Sequence, residues 1–267
     1  MKQYILRILA LSGVSIGRCV NKDRLRHFVD RLHPVTTGKA LIRMGGDGDG
    51  GYLVPDDLDG VAACFSPGVG TVASFEKDLV ARGIPCHLAD GSIAEPPFSH
   101  PLVHFTKKYV GVVEDAATIT LDAWVRACAP PQGDLLLQMD IEGAEWPVLL
   151  NASDAVLRRF RIIIVELHAL EKLIDRFGFQ IMFAAFDRLL RQFYVVHIHP
   201  NNAMPPIDVG GLSIPRLLEF TFIRRDRVTP TGYAMQFPHP LDRTSVLGKP
   251  DLALPAGWYR PIALIKQ

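Results

Sequence analysis

Two stretches of this sequence hold reactive side chains at positions where a fold could use them. The first is Met139-Asp140-Ile-Glu142-Gly143-Ala-Glu145-Trp146, directly after the apolar run Asp134–Met139. Such a run suits a parallel strand buried on both faces. A carboxylate at the C-terminal end of that strand faces the crevice where open α/β sheets bind ligands. Asp140 is therefore a candidate to meet a substrate, the amino group of a cofactor or a metal ion. Glu142 and Glu145 open the next helix, where the helix dipole favours negative charge. For Glu145, helix capping explains the residue as well as chemistry does.

The second stretch is a glycine turn. A short strand, Ala62–Ser66, runs into Pro67-Gly68-Val-Gly70, and a helix is expected over Thr71–Arg82. Glycine lets the backbone bend sharply and approach a ligand closely, and the first N–H groups of the helix face that ligand. The next strand, Pro85–Ala89, ends at Asp90-Gly91. A carboxylate there can accept hydrogen bonds from both hydroxyls of a ribose. Gly68 to Ala73 also satisfies the loose G-x-G-x-x-A dinucleotide pattern, so the turn alone fits an adenosyl cofactor and a nicotinamide cofactor equally. Nicotinamide domains usually open with this unit, whereas here it begins only at Ala62.

Two further segments bring possible bases to the same crevice. The buried strand Arg161–Leu167 ends beside His168, and alternation puts Glu166 and His168 on one face. The strand Tyr194–Ile198 leads to His199, Asn201 and Asn202. His168 or His199 is the expected general base. The alternative is a metal ion held by Asp140, Glu166, His168 and His199. Oxygen ligands would favour magnesium or manganese there, and additional histidine would admit zinc or iron. His197 alternates with His199, and one of the two is expected to be only hydrogen-bonded. Glu219 lies in the apolar strand Leu217–Ile223, where it pairs with an arginine or shapes an acceptor pocket. Arg224 and Arg225 could bind a phosphate or carboxylate of a substrate, or form a solvated strand end, which fits their position better.

These residues need a frame of alternating strands and helices, and the pattern supplies one. Helices are expected at Asn21–Leu32, Thr120–Cys128, Ala144–Leu150, Asp154–Arg159 and Ala169–Phe193, the last broken at Gly178. Strands alternating with helices imply a mostly parallel sheet. The tail after Arg224 is rich in proline and reads as an ordered wrap with little regular structure. Of the 267 residues, 48% are hydrophobic and 21% charged, which suits a soluble globular chain. A net charge of +1 provides no field to attract nucleic acid, so no nucleic-acid partner is expected. None of the four cysteines has zinc-site spacing. Cys64 and Cys86 read as buried thiols, in keeping with a cytoplasmic location. The apolar start of the chain is too short to span a membrane, so no transmembrane segment is expected. Tyr4, Ile5, Ile8 and Leu9 could form one face of a short helix packed on the domain or on a partner subunit. That leaves a homo-oligomer and a peripheral membrane contact as alternatives.

The segments CFSPGVGTVASFE, HLADGS, TLDAWV and above all DLLLQMDIEGAEWPVLL resemble the FkbM-type methyltransferases, a branch of the class I methyltransferase fold. The likeness spans roughly Gly45 to Arg224. It implies a doubly wound, mostly parallel, seven-stranded Rossmann-like sheet with an antiparallel last strand. It also implies methyl transfer from S-adenosyl-L-methionine to a hydroxyl, such as that of a sugar or glycan precursor. Some relatives also use a divalent cation. Carried over, Ser66, Gly68 and Gly70 would line the methionine part of the cofactor. Asp90, with Gly91, would hold the ribose, and Asp140 would sit beside the reacting methyl. Gly45, Gly46, Asp49 and Gly51 would cover the pocket, with Tyr52 behind them. Pro67 departs from the pattern, because many class I enzymes carry a small residue there. On this reading residues 1–40 form a helical segment packed on the core, 41–225 the methyltransferase domain and 226–267 a proline-rich extension. A NAD-dependent oxidoreductase and a non-catalytic adenosyl-binding module are the competing readings.

Overall fold

The computed structural model of the chain describes residues 17–260. At its centre is a sheet of seven strands: β1 (Val61–Pro67), β2 (Cys86–Ala89), β3 (Val103–Thr106), β4 (Asp134–Met139), β5 (Phe160–Leu167), β6 (Phe193–Pro200) and β7 (Leu218–Arg224). Their spatial order is β3-β2-β1-β4-β5-β7-β6. All neighbouring pairs are parallel except those made by β7, which runs antiparallel to both β5 and β6. The last strand of the sheet in chain order is thus antiparallel, as expected, and lies one place in from the edge. This is the doubly wound, seven-stranded arrangement that the resemblance implies. The chain winds outward from β1 to β3 and then restarts at β4 on the other side of β1. That reversal opens a crevice at the C-terminal ends of β1 and β4.

The strands form where the sequence is apolar without period. Every residue of β5 is buried, and β4 is buried from Leu135 to Met139, because helices cover both faces. On one face pack α1 (Lys22–Asp30), α3 (Leu121–Cys128), α4 (Glu145–Asn151) and α6 (Arg176–Gln192), through Phe28, Trp124, Trp146 and Phe186. On the other pack α2 (Ser74–Ala81) and the hairpin Leu41–Met44/Tyr52–Pro55, through Phe75, Leu79, Met44 and Val54. The short α5 (Asp154–Leu157) links α4 to β5. Asn21 caps α1 as expected, accepting from the amides of Asp23 and Arg24.

The stretch 169–193 departs from expectation. A 3-10 turn, Leu170–Ile174, comes first, and Asp175 then caps α6. Gly178 does not break the helix. A β-carbon there would come within 2.4 Å of the Lys172 carbonyl oxygen, so glycine lets α6 start tight against that turn. Gly210 and Gly211 form the turn of a small hairpin, Ile207–Val209/Leu212–Ile214. Beyond β7 the chain wraps the body with little regular structure and buries Leu254 and Trp258. The helix expected around Tyr4, Ile5, Ile8 and Leu9 lies outside the described residues. Among the described residues no helix is long and apolar enough to cross a membrane.

Candidate active site

Two cavities meet at the crevice between β1 and β4, sharing Gly68, Gly70, Asp140 and Glu142. One, of about 230 Å³, is polar and also bounded by Asp49, Tyr52, Glu76 and Gln138. The other, of about 440 Å³, is more apolar, walled by Ala89, Tyr109, Val110, Ile141 and Ala144, with Asp90 at its side. Chain order dictates the meeting point: the turn after β1 and the turn after β4 lie side by side, and the amide of Asp140 donates to the Pro67 carbonyl at 3.3 Å.

The glycine turn is built for this neighbour. Gly68 has φ +84°, and a β-carbon on it would lie 1.6 Å from the Asp140 carbonyl oxygen. Gly70 has φ +53° and faces open space. Asp90 ties the turn down: its Oδ2 accepts from the Gly70 amide at 2.9 Å, and its Oδ1 accepts from the Ser92 amide and hydroxyl. Burial works to raise the Asp90 carboxyl, but the hydrogen bonds from Ser92 and Gly70 hold it below the usual range. Gly91 does not line the cavity; the Tyr109 ring packs on its bare Cα. Ser66 is not a wall residue either. It is fully buried, with its hydroxyl 2.5 Å from Glu76 Oε1 and 2.7 Å from Gln138 Oε1. Gln138 in turn donates to the Tyr52 hydroxyl.

Of the glycine-rich cover, Asp49 and Tyr52 line the polar cavity, together with Gly50. Gly45, Gly46 and Gly51 shape the loop instead. The Gly45 amide donates to Asp78, the Gly46 amide donates to Ser74, and Arg43 donates twice to the Gly46 carbonyl. A β-carbon on Gly51 would meet that same carbonyl oxygen.

The turn after β4 is held from within. Glu145 is completely buried, and its carboxylate accepts from the amides of Ile141 and Gly143. It therefore caps the turn, and the free acidic group is Glu142. Glu142 adopts φ +55°, is 88% exposed and borders both cavities. His168 stands behind the wall. Its Nδ1 lies 3.2 Å from Glu145, and its Nε2 lies 3.3 Å from Glu142, 3.9 Å from Asp140 and 4.0 Å from Glu166. Burial works to lower the His168 imidazole, but Glu145, Asp140 and Glu142 hold it above the usual range. Burial pushes Asp140 up to about 7 against the pull of His168, and its Oδ1 is buried without a donor.

Of the four metal ligands expected, the fold gathers two with a different third. Asp140, Glu142 and His168 each offer a ligand atom within 4.8 Å of the others. Glu166 stands just behind, accepting from Asn201. His199 does not reach this group and lines neither cavity. It lies in register with Glu219, 3.7 Å from Asp242. His197 holds the same carboxylate at 2.8 Å, so both histidines serve the wrap. Strand alternation is the reason: positions 197 and 199 share a face, and Asp242 covers it. Among the described residues Glu219 pairs with no arginine; its carboxylate meets Ser245. Arg224 binds Asp134 at the opposite edge of the sheet.

Strand order and the crevice between β1 and β4 define a doubly wound α/β domain. The Methyltransferase FkbM domain matches residues 84–193, from β2 to the end of α6, which bears out the resemblance seen around Asp140–Trp146. A solved structure from Pyrococcus horikoshii, described as that of a candidate RNA methyltransferase, is similar over 76% of this chain and 99% of its own, with 11% identity and a TM-score of 0.32. No curated protein matches the chain.

Proposed function

We propose that the protein transfers a methyl group from S-adenosyl-L-methionine to a hydroxyl of a sugar or glycan precursor. The observation behind this reading is the junction of the two cavities at Asp140. The residues present fit the cofactor. Gly70 leaves its side of the turn open, Asp90 stands at the apolar cavity for a ribose, and Asp49, Gln138 and Asp140 would face the amino-acid part and the positive sulfur. When bound, the cofactor supplies a methyl on a sulfonium, an electrophile that needs only an aligned oxygen. Asp140 touches the acceptor and takes its proton; a carboxylate near 7 is poised for that. His168, 3.9 Å from Asp140 and 3.2 Å from Glu145, would favour the ionised form of Asp140 through its own positive charge, which makes it a positioning residue one layer behind the wall.

A divalent cation, magnesium or manganese, is the second reading, favoured by the convergence of Asp140, Glu142 and His168. There it would orient the acceptor oxygen and lower its pKa.

Calorimetry separates these cases. S-adenosylhomocysteine is expected to bind at micromolar concentration and NAD not at all; the reverse would end the proposal. Tight binding with no turnover on any hydroxyl acceptor would leave a non-catalytic module. Asp140→Asn is expected to lower kcat about 100-fold or more with little change in KM. Manganese binding by electron paramagnetic resonance, abolished in Glu142→Ala, is expected only if the cation reading holds.

A further inference from the structure

Away from the crevice, a cavity of about 260 Å³ lies where the starts of α1 and α6 meet. Arg18, Arg24 and Arg176 line it, with Asn21, Phe179 and Gln180. None of the three guanidiniums makes an ion pair or a side-chain hydrogen bond among the described residues. Residues 1–16 and 261–267 contain no Asp or Glu. Arg24 does stack over the Phe179 ring at 5.0 Å. The nearby carboxylate of Asp175 is already used in capping the amides of Phe177 and Gly178. Three arginines thus line one small space, and no carboxylate among the described residues forms an ion pair with them.

The surroundings favour one kind of anion. Phe177, beside Arg176, is 71% exposed, in the first turn of a helix whose other large apolar side chains are mostly buried. The chain leading to Arg18 carries Tyr4, Ile5, Leu6, Ile8, Leu9 and Leu11, with Lys2 and Arg7 as its only charged side chains. A basic pocket beside an exposed aromatic, in a chain whose preceding residues are apolar and free of Asp and Glu, matches the composition of a membrane-surface contact. A soluble phosphate would use the arginines and leave the aromatic idle. Topology adds placement. α6 follows β5 and runs back to the start of β6, so its first turn stands at the C-terminal edge of the sheet, the edge that carries the cavities at Asp140.

We propose that the Arg18/Arg24/Arg176 pocket docks the anionic headgroup of a membrane lipid, holding the site edge of the enzyme near the bilayer. The test uses the full chain and vesicles of phosphatidylcholine, alone or with roughly one-third phosphatidylglycerol. The chain is expected to partition onto the anionic vesicles and to leave them at high salt. The triple change Arg18→Gln, Arg24→Gln and Arg176→Gln should weaken partitioning roughly 100-fold while leaving Tm and S-adenosylhomocysteine binding unchanged. The matching triple lysine variant should keep most of the binding. Equal partitioning onto neutral vesicles, or anionic binding untouched by the triple Gln change, would overturn the proposal. So would inorganic phosphate binding in the pocket without any vesicle association, which would make the ligand a free oxyanion.

Discussion

Gly68 and Gly70 stand in one turn and answer different demands. Gly68 is required by its neighbour, because any β-carbon would strike the Asp140 carbonyl. Gly70 is free of neighbours and borders both cavities. Gly68→Ala is expected to cost roughly 2–4 kcal/mol, from overpacking and the left-handed backbone, and to lower Tm by several degrees. Gly70→Ala should cost only about 1 kcal/mol, yet weaken S-adenosylhomocysteine binding at least tenfold. A Gly70→Ala protein that bound normally would remove the turn from the cofactor site. At this scale the sequence pointed to Asp140, Asp90 and the two glycines, because each follows directly from a strand end. Gln138 and Glu76 carry a weaker signal, although a glutamine in the apolar run Leu135–Met139 stands out. Glu142 was noticed only as a helix-start charge, since nothing in its type announces a left-handed backbone. The true partner of His199, Asp242, lies in a tail without periodic pattern, so alternation alone cannot show where the imidazole turns.

Among the elements, α2 does two jobs. Its start follows the glycine turn, and Ser74 and Asp78 along it hold the covering loop: Ser74 accepts from the Gly46 amide and donates to the Gly50 carbonyl. Ser74→Ala is expected to remove about 1–2 kcal/mol of local stability. Amide exchange at Gly45–Gly51 should speed up and cofactor affinity fall several-fold, with the melting of the whole protein nearly unchanged. Unaltered exchange in the loop would show that α2 does not hold it. The central strands were readable because burial on both faces leaves an unbroken apolar run; Asp134–Met139 came out with its boundaries correct. Within 169–193 a glycine in a helical pattern looks like a stop, and only the packed Lys172 carbonyl shows why Gly178 is there. The hairpin at 207–214 was missed because its strands are three residues each, too short for alternation to register.

Across the molecule, a row of titratable groups runs through the sheet: Glu166 on β5 faces Glu219 on β7, which faces His199 on β6. Burial raises Glu219 to about 7 against the pull of His199, and burial with Glu219 and Asp140 raises Glu166. A carboxyl raised by folding keeps its proton longer in the native state, so stability falls as pH climbs from its ordinary value toward the folded one. Burial works to lower His199, but Asp242 and Glu219 hold it raised; like His168, its contribution is complete below its ordinary value and lost as pH rises through the folded one. Asp57, Asp134 and Asp242 act oppositely: burial works against their ionisation, but basic partners depress them, so their contribution is lost only in acid. Tm is therefore expected to peak below neutrality and to fall between about pH 5 and about pH 8. Glu219→Gln should flatten that fall, whereas a Tm that rose over the same span would contradict the assignment.

The wrap that supplies Asp242 also ends by seating Trp258 in the core, while the Gly257 carbonyl meets His33 and Tyr233 pairs with Val35. A chain emerging from the ribosome thus holds its early strands ready long before their closing piece exists. Until residue 258 has left the tunnel, Phe220 and Leu212 have no lid, and the nascent protein must rely on chaperones or speed to avoid sticking to its neighbours.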